Sequence, residues 1–180
     1  MREPEAPAIL IHVRGRARYR KPGRTRLVRA AAAAALQQAH PSGHSEWTIR
    51  LADDAELRRL NRQFRNMDRP TDVLSFGSAG YHDGKPRAVP HPIHRPDATS
   101  YLTSGTAGAE YLGDIVISWD RCTAQAAAGD HDVDAELTLL VIHGTLHLLG
   151  YDHDTPARKA RMWAAQSLAL KTLKITLRVR

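Results

Sequence analysis

The stretch His143-Gly144-Thr145-Leu146-His147-Leu148-Leu149-Gly150-Tyr151-Asp152-His153 decides how the rest of the chain is read. The run before it, Leu137 to Ile142, is apolar and lacks turn-formers, so it predicts a buried helix. On a helix, positions i and i+4 lie on one face, one turn apart. His143 and His147 can therefore aim at one point. Gly150 is placed to end the helix, because glycine takes the left-handed conformation without penalty. The reversed chain can then return His153 to the same point. Three neutral imidazoles around a point suit one zinc ion and leave its fourth position for water. A lone histidine would read as a surface or core residue; the third histidine, just past a glycine stop, moves the reading to a metal.

Working outward, the 180 residues suffice for one domain with a sizeable core, and 42% apolar content excludes global disorder. The single cysteine, Cys122, excludes an internal disulfide and fits a reducing, cytoplasmic setting. No apolar run approaches the roughly 20 residues of a membrane span. The Ala30–Leu36 run is short and nearly all alanine. The N-terminus lacks the layout of a signal peptide, and the arginine stretch behind it alternates like a strand rather than a transit peptide.

Charge is unevenly spread. Residues 1–29 carry +7, residues 30–154 carry −7, and residues 155–180 carry +7. Basic ends around an acidic middle are the footprint of a polyanion partner. Twenty-one of the 26 basic residues are arginine, whose planar fork suits phosphate, although a GC-rich genome gives the same bias.

Residues 1–8 read as a loose leader. Ala8 to Arg20 alternates in part and reads as a strand leading into a basic ribbon, broken by Pro22-Gly23. Thr25 is placed to cap an alanine-rich helix to about Ala39. A turn at Pro41-Ser42-Gly43 leads to a strand, Glu46 to Leu51. Asp53 with Glu56 forms a capping-box-like pattern for a helix through Leu57, Leu60 and Phe64 to Asn66. Thr71 to Phe76 reads as a short strand. Residues 77–110 are rich in Gly, Pro, Ser, Thr and His with little periodicity. They read as a disordered, solvated loop, with His82, His91 and His94 in it. Tyr111 to Ser118 is a strand. Ser118 or Asp120 caps a helix that Gly129 ends, and Asp132 or Asp134 caps the histidine helix. Asp154-Thr155-Pro156 opens a last helix to about Leu170. Residues 171–180 read as an edge strand or a basic tail. There are no internal repeats. Two strands without a helix between them argue against a purely parallel sheet. The expectation is a single α+β domain over 1–180, with a mixed sheet of about four strands and helices on at least one face.

The nearest general motif is H-E-x-x-H of the zincins, whose Glu is the general base. The helix is zincin-like in spacing, but position 144 is Gly, which argues against peptide hydrolysis and leaves the metal untouched. Ser75 and Thr145 lack a triad context, and Cys122 reads as a small buried filler.

The eleven-residue histidine stretch closely resembles the signature of the YbeY endoribonuclease family of bacterial rRNA maturation factors. Two further blocks match in order: Leu60-Asn61-Arg62-Gln63-Phe64-Arg65 through Thr71-Asp72-Val73-Leu74-Ser75-Phe76, and Leu112-Gly113-Asp114-Ile115-Val116-Ile117. The resemblance covers about residues 46–165. It implies a zinc held by His143, His147 and His153, and a functionally important arginine at Arg65. It further implies a single-strand-specific endoribonuclease acting in late small-subunit rRNA processing, including 3′-end maturation, and in ribosome quality control. Its partners would be single-stranded rRNA, the small ribosomal subunit with its proteins, and a ribosome-assembly GTPase. Three departures stand out: Gly77 replaces the family's usual Pro, the 77–110 tract is longer, and the first strand region is richer in arginine. Asp152, Asp72 and Asp114 are candidate general bases, each with a structural reading that fits better. The competing readings are a zinc metallopeptidase and a ribosome-assembly factor whose zinc is structural. An open three-histidine site counts against the latter, since structural zinc is normally closed by four protein ligands.

Overall fold

Alternation of apolar and polar residues in four segments builds the sheet, and one largely apolar helix fills the space behind it. A computed structural model describes residues 9–38, 44–77, 81–82, 85–86 and 109–177. In chain order the elements are β1 (Ile9–Gly15), α1 (Pro22–Leu36), β2 (His44–Ala52), α2 (Asp54–Arg65), β3 (Val73–Gly77), β4 (Tyr81–His82), β5 (Lys85–Pro86), β6 (Ala109–Ser118), α3 (Trp119–Ala128), α4 (Val133–Leu148) and α5 (Pro156–Thr172). The main sheet runs β1-β2-β6-β3. Its first three strands are parallel, and β3 is antiparallel to β6. The chain is thus an α+β domain with a four-stranded mixed sheet, as expected.

The two faces of the sheet are unequal. Trp47, Ile49 and Leu51 of β2, with Leu112, Ile115 and Ile117 of β6, point into the larger core beneath α1, α4 and α5. Ala52, Leu74 and Val116 point the other way, under Leu57, Leu60 and the half-buried Phe64 of α2. Helices therefore cover both faces. Strict alternation would put Leu112 and Ile115 on opposite faces. A bulge resolves this: Glu46 pairs with Tyr111 but Trp47 pairs with Gly113, so one residue is extra. Gly113 sits at φ +137°, and a Cβ there would run into the Phe76 carbonyl. Glycine is required at this point, and the bulge turns both apolar residues inward.

Helix boundaries follow local chemistry. Asp53 accepts from the Glu56 N–H, Ser118 from Arg121, Asp132 from Asp134 and Thr155 from Arg158. Several expectations need correcting. Pro22 does not break the chain before a helix capped by Thr25; it begins α1, where its fixed φ is suited and its missing N–H costs nothing. The expected basic ribbon to Arg20 is absent, because β1 stops at Gly15 (φ +128°) and residues 17–19 turn. Gly129 does end α3 as expected, but in the right-handed region, and Asp130 (φ +51°) takes the left-handed position. Residues 171–177 are neither edge strand nor free tail. Lys171 and Thr172 finish α5, Lys174 takes φ +57°, and Leu173, Ile175 and Leu177 pack on the larger core.

The loose leader 1–8, the turn at 41–43 and residues 178–180 lie outside the described residues. So does most of the 77–110 tract, including His91 and His94. Of that tract the described parts are Gly77, the short antiparallel pairing of β4 with β5, and the first residues of β6. Among the described residues, no helix is long and apolar enough to cross a membrane.

Candidate metal centre

Helix α4 carries apolar residues around most of its circumference, and that composition buries it. Leu137, Val141, Ile142 and Leu146 are fully enclosed between the sheet and α1, α3 and α5. Gly144 lets the helix approach the sheet. A Cβ there would lie 2.8 Å from Ile115 Cγ2 and 3.2 Å from Ser75 Oγ. Ser75 donates to the Gly144 carbonyl at 3.0 Å, tying α4 to β3. The position that holds glutamate in a zincin therefore faces the sheet here and has no room for one.

The helix ends as its sequence predicts. The Gly150 N–H donates to the His147 carbonyl and the Tyr151 N–H to the Leu146 carbonyl, both at 3.0 Å, with Gly150 at φ +81°. This paired closure is the Schellman motif. It reverses the chain and delivers His153. The ligand atoms of His143, His147 and His153 all lie within 4.8 Å of one another. His143 and His147 are half-buried, and His153 is exposed. Trp163 of α5 sets its ring edgewise to His143 and His153, at centroid separations of 6.2 and 5.7 Å.

The second nitrogens decide whether these rings fit a cation. His147 Nδ1 lies 3.0 Å from the Tyr151 carbonyl, which can only accept, so Nδ1 carries the proton. His143 Nδ1 lies 3.1 Å from Gln166 Oε1 and donates to it likewise. Both Nε2 atoms are then lone-pair acceptors, and they face each other at 3.2 Å. Two acceptors at that distance repel unless a cation draws them together. Burial points the same way. It lowers the pKa of His143, and it lowers that of His147 to about 4 with help from the neighbouring His143. Both rings are thus neutral at physiological pH, as metal ligands must be. The donor set fits a divalent cation of the zinc kind.

The other predicted residues are placed as follows. Arg65 is the last residue of α2, exposed, with no hydrogen bond or ion pair among the described residues. It is not part of the histidine cluster. Three carboxylates are already engaged. Asp152 accepts from the His153 N–H, Asp72 from the Val73 N–H and Gln125, and Asp114 from the Tyr111 hydroxyl. Asp72 thus caps the start of β3 as expected, whereas Asp152 holds a backbone N–H and not an imidazole, and Asp114 lies within β6 and not in a turn. Thr145 is buried, and Cys122 is buried with its thiol pushed up to about 12 by desolvation, which makes it inert. Sequence reasoning missed Gln166 and Trp163. They are three apart on the helix that follows His153, so they share a face; that spacing was the available signal.

The comparisons with known proteins agree with this geometry. The family model described as Endoribonuclease YbeY matches residues 15–174. Among relatives bearing the name Endoribonuclease YbeY, that of Roseiflexus castenholzii is 41% identical over 151 residues, covering 83% of this chain and 84% of the relative. That of Chloroflexus aurantiacus is 47% identical over 135 residues, covering 74% and 76%. A solution structure of a Thermotoga maritima protein superposes with a TM-score of 0.53 over 92% of both chains at 20% identity, a likeness of fold. With three sequence blocks in order, the expected sheet and the converging histidines, the chain belongs to the YbeY endoribonuclease family.

Proposed function

We propose that the chain is a zinc-dependent, single-strand-specific endoribonuclease. It acts in the cytoplasm on small-subunit rRNA, in late processing that includes 3′-end maturation, and in ribosome quality control. His143, His147 and His153 hold one zinc ion per chain, and residues 1–180 work as one domain. The partners are single-stranded rRNA, the small subunit with its proteins, and a ribosome-assembly GTPase. One observation carries the metal reading: two imidazoles, each fixed by a partner at Nδ1, face one another through bare Nε2 atoms 3.2 Å apart. Family membership supplies the RNA.

Zinc on three neutral imidazoles keeps its full charge and supplies Lewis acidity, lowering the pKa of water toward about 7. The chain's own residues do the rest. The Tyr151 carbonyl and Gln166 hold the imidazoles in one tautomer and orientation. Trp163 walls the exposed His153. Arg65, exposed at the end of α2, is free to neutralise charge on a phosphate as the phosphodiester breaks. The peptidase alternative is disfavoured because position 144 has no space for the glutamate base.

The test compares cleavage of single-stranded rRNA by wild type, His147→Ala and Arg65→Ala at matched zinc, with controls for contaminating nucleases. Loss of cleavage in both folded variants supports the assignment. A folded His147→Ala that cleaves as fast as wild type removes the zinc from catalysis. An Arg65→Ala that does so removes the arginine.

A further inference from the structure

Beside the histidine cluster lies a cavity of about 150 Å³. His143 and its partner Gln166 form one wall, and Leu139 and Leu140 form another. The remaining polar lining is Asp72, Glu136, Gln125 and His131, with acceptors in excess. Gln125 turns its NH2 to Asp72 Oδ2 at 3.1 Å. A carboxylate accepts only, so the amide orientation is fixed. Gln125 Oε1 is left buried without a donor. Glu136 Oε2 is paired with His131 Nε2 at 2.5 Å, which leaves its other oxygen to accept.

The lining decides what can enter. Among the described residues, the three histidines are the only group of three or more metal-ligating side chains that converge, so this cavity holds no second cation cluster. Two carboxylates repel a phosphate. An orphaned buried acceptor costs free energy until a donor reaches it. The fitting occupant is uncharged, partly apolar and rich in N–H groups. Its volume is about five waters, comparable to one nucleobase.

We propose that this cavity is a nucleobase subsite that takes a base with an exocyclic amino group and disfavours uracil. The choice of a nucleobase as occupant rests on the ribonuclease reading. Single-stranded RNA is recognised by splayed-out bases through their Watson–Crick edges. On that edge guanine presents N1–H and an amino group, and cytosine and adenine an amino group, where uracil presents two carbonyl acceptors around a single N–H. Carboxylate and amide oxygens welcome the former and reject the latter. The charges also sort the nucleotide: the phosphate stays at the histidine side, and the base turns into the acidic cavity.

The probes are nucleosides, which carry no phosphate and so read the cavity apart from the metal. Cytidine, adenosine and uridine are titrated into the full-length wild-type chain, and the Gln125 side-chain amide is followed by NMR. The expected result is a shift of that amide with cytidine and adenosine, and a Kd for uridine at least fivefold weaker. Purine riboside, which lacks the amino group, should behave like uridine. Gln125→Met should bring cytidine and uridine within twofold of one another. Equal binding of cytidine and uridine to wild type overturns the proposal, and so does an unmoved Gln125 amide. Both wild-type comparisons stand even if the variant fails to fold. Cleavage of RNA without nucleoside discrimination sinks the subsite and leaves the nuclease reading. Nucleoside discrimination in a zinc-loaded chain that cleaves no RNA sinks the nuclease reading and keeps the subsite.

Discussion

The C-terminal ends of α4 and α2 close alike and hold their proposed functional residues very differently. Each chain reversal uses a left-handed residue, Gly150 at φ +81° and Asn66 at φ +56°. At the end of α4, two imidazoles are pinned by a backbone carbonyl and a buried glutamine, and a tryptophan edge closes the third side. At the end of α2, Arg65 stands in solvent. The metal half of the site is pre-organised by the fold. Under the proposed function, the arginine half would take its position only when a phosphate arrives. One half should therefore be coupled to packing and stability, and the other to catalysis alone.

Crowding the pre-organised side should do the most damage. Gly144→Val drives a branched side chain into Ile115 and Ser75, and overpacking of this kind costs up to about 3 kcal/mol. Denaturant unfolding of the metal-free chain reads it, and an unchanged midpoint would show that the helix–sheet contact is looser than described. Next comes the imidazole's partner. Gln166→Leu removes the acceptor for His143 Nδ1 and should weaken zinc binding about 10-fold, measured by competition with a chelator. Unchanged affinity would mean that the tautomer is set elsewhere.

Acid gives a smaller and graded effect. Unfolded histidines titrate near about 6.5, while folded His147 titrates at about 4 and His143 is lowered too. As pH falls through that window, the unfolded chain takes up protons that the folded chain refuses. The metal-free protein should thus be steady above about pH 6.5 and lose stability down to about pH 4. His147→Ala should flatten that slope, and an identical slope would contradict the burial of the ring. The smallest stability change belongs to the open half. Arg65→Ala should stay within about 0.5 kcal/mol of wild type in unfolding, whatever it does to cleavage; a larger loss would mean the arginine is anchored.

What was legible in the chain was what is local. His143, His147 and Gly150 are placed by helical period and a left-handed stop, and the caps at Asp53, Ser118 and Asp132 each act within three residues. The mixed sheet was readable because two strands followed one another without a helix between them. What escaped depends on contacts across the fold. The Gly113 bulge is set by the neighbouring β2 register and the Phe76 carbonyl. Residues 171–177 alternate like a strand, yet among the described residues no sheet edge receives them, and the core beneath α5 takes Leu173, Ile175 and Leu177 instead. Asp130 and Lys174 occupy left-handed positions that sequence reading reserves for glycine. Gln166 lies 23 residues from His143, and only tertiary packing joins them.

The central claim is that the histidine cluster works through one bound zinc. It is tested most directly by stripping the purified protein of metal and adding zinc back stepwise while following cleavage of single-stranded rRNA. The account predicts no cleavage without metal, a linear rise to one equivalent per chain, a plateau beyond it, and no response in His147→Ala. Cleavage by the metal-free chain at the full rate, or an equal zinc response in His147→Ala, would contradict it.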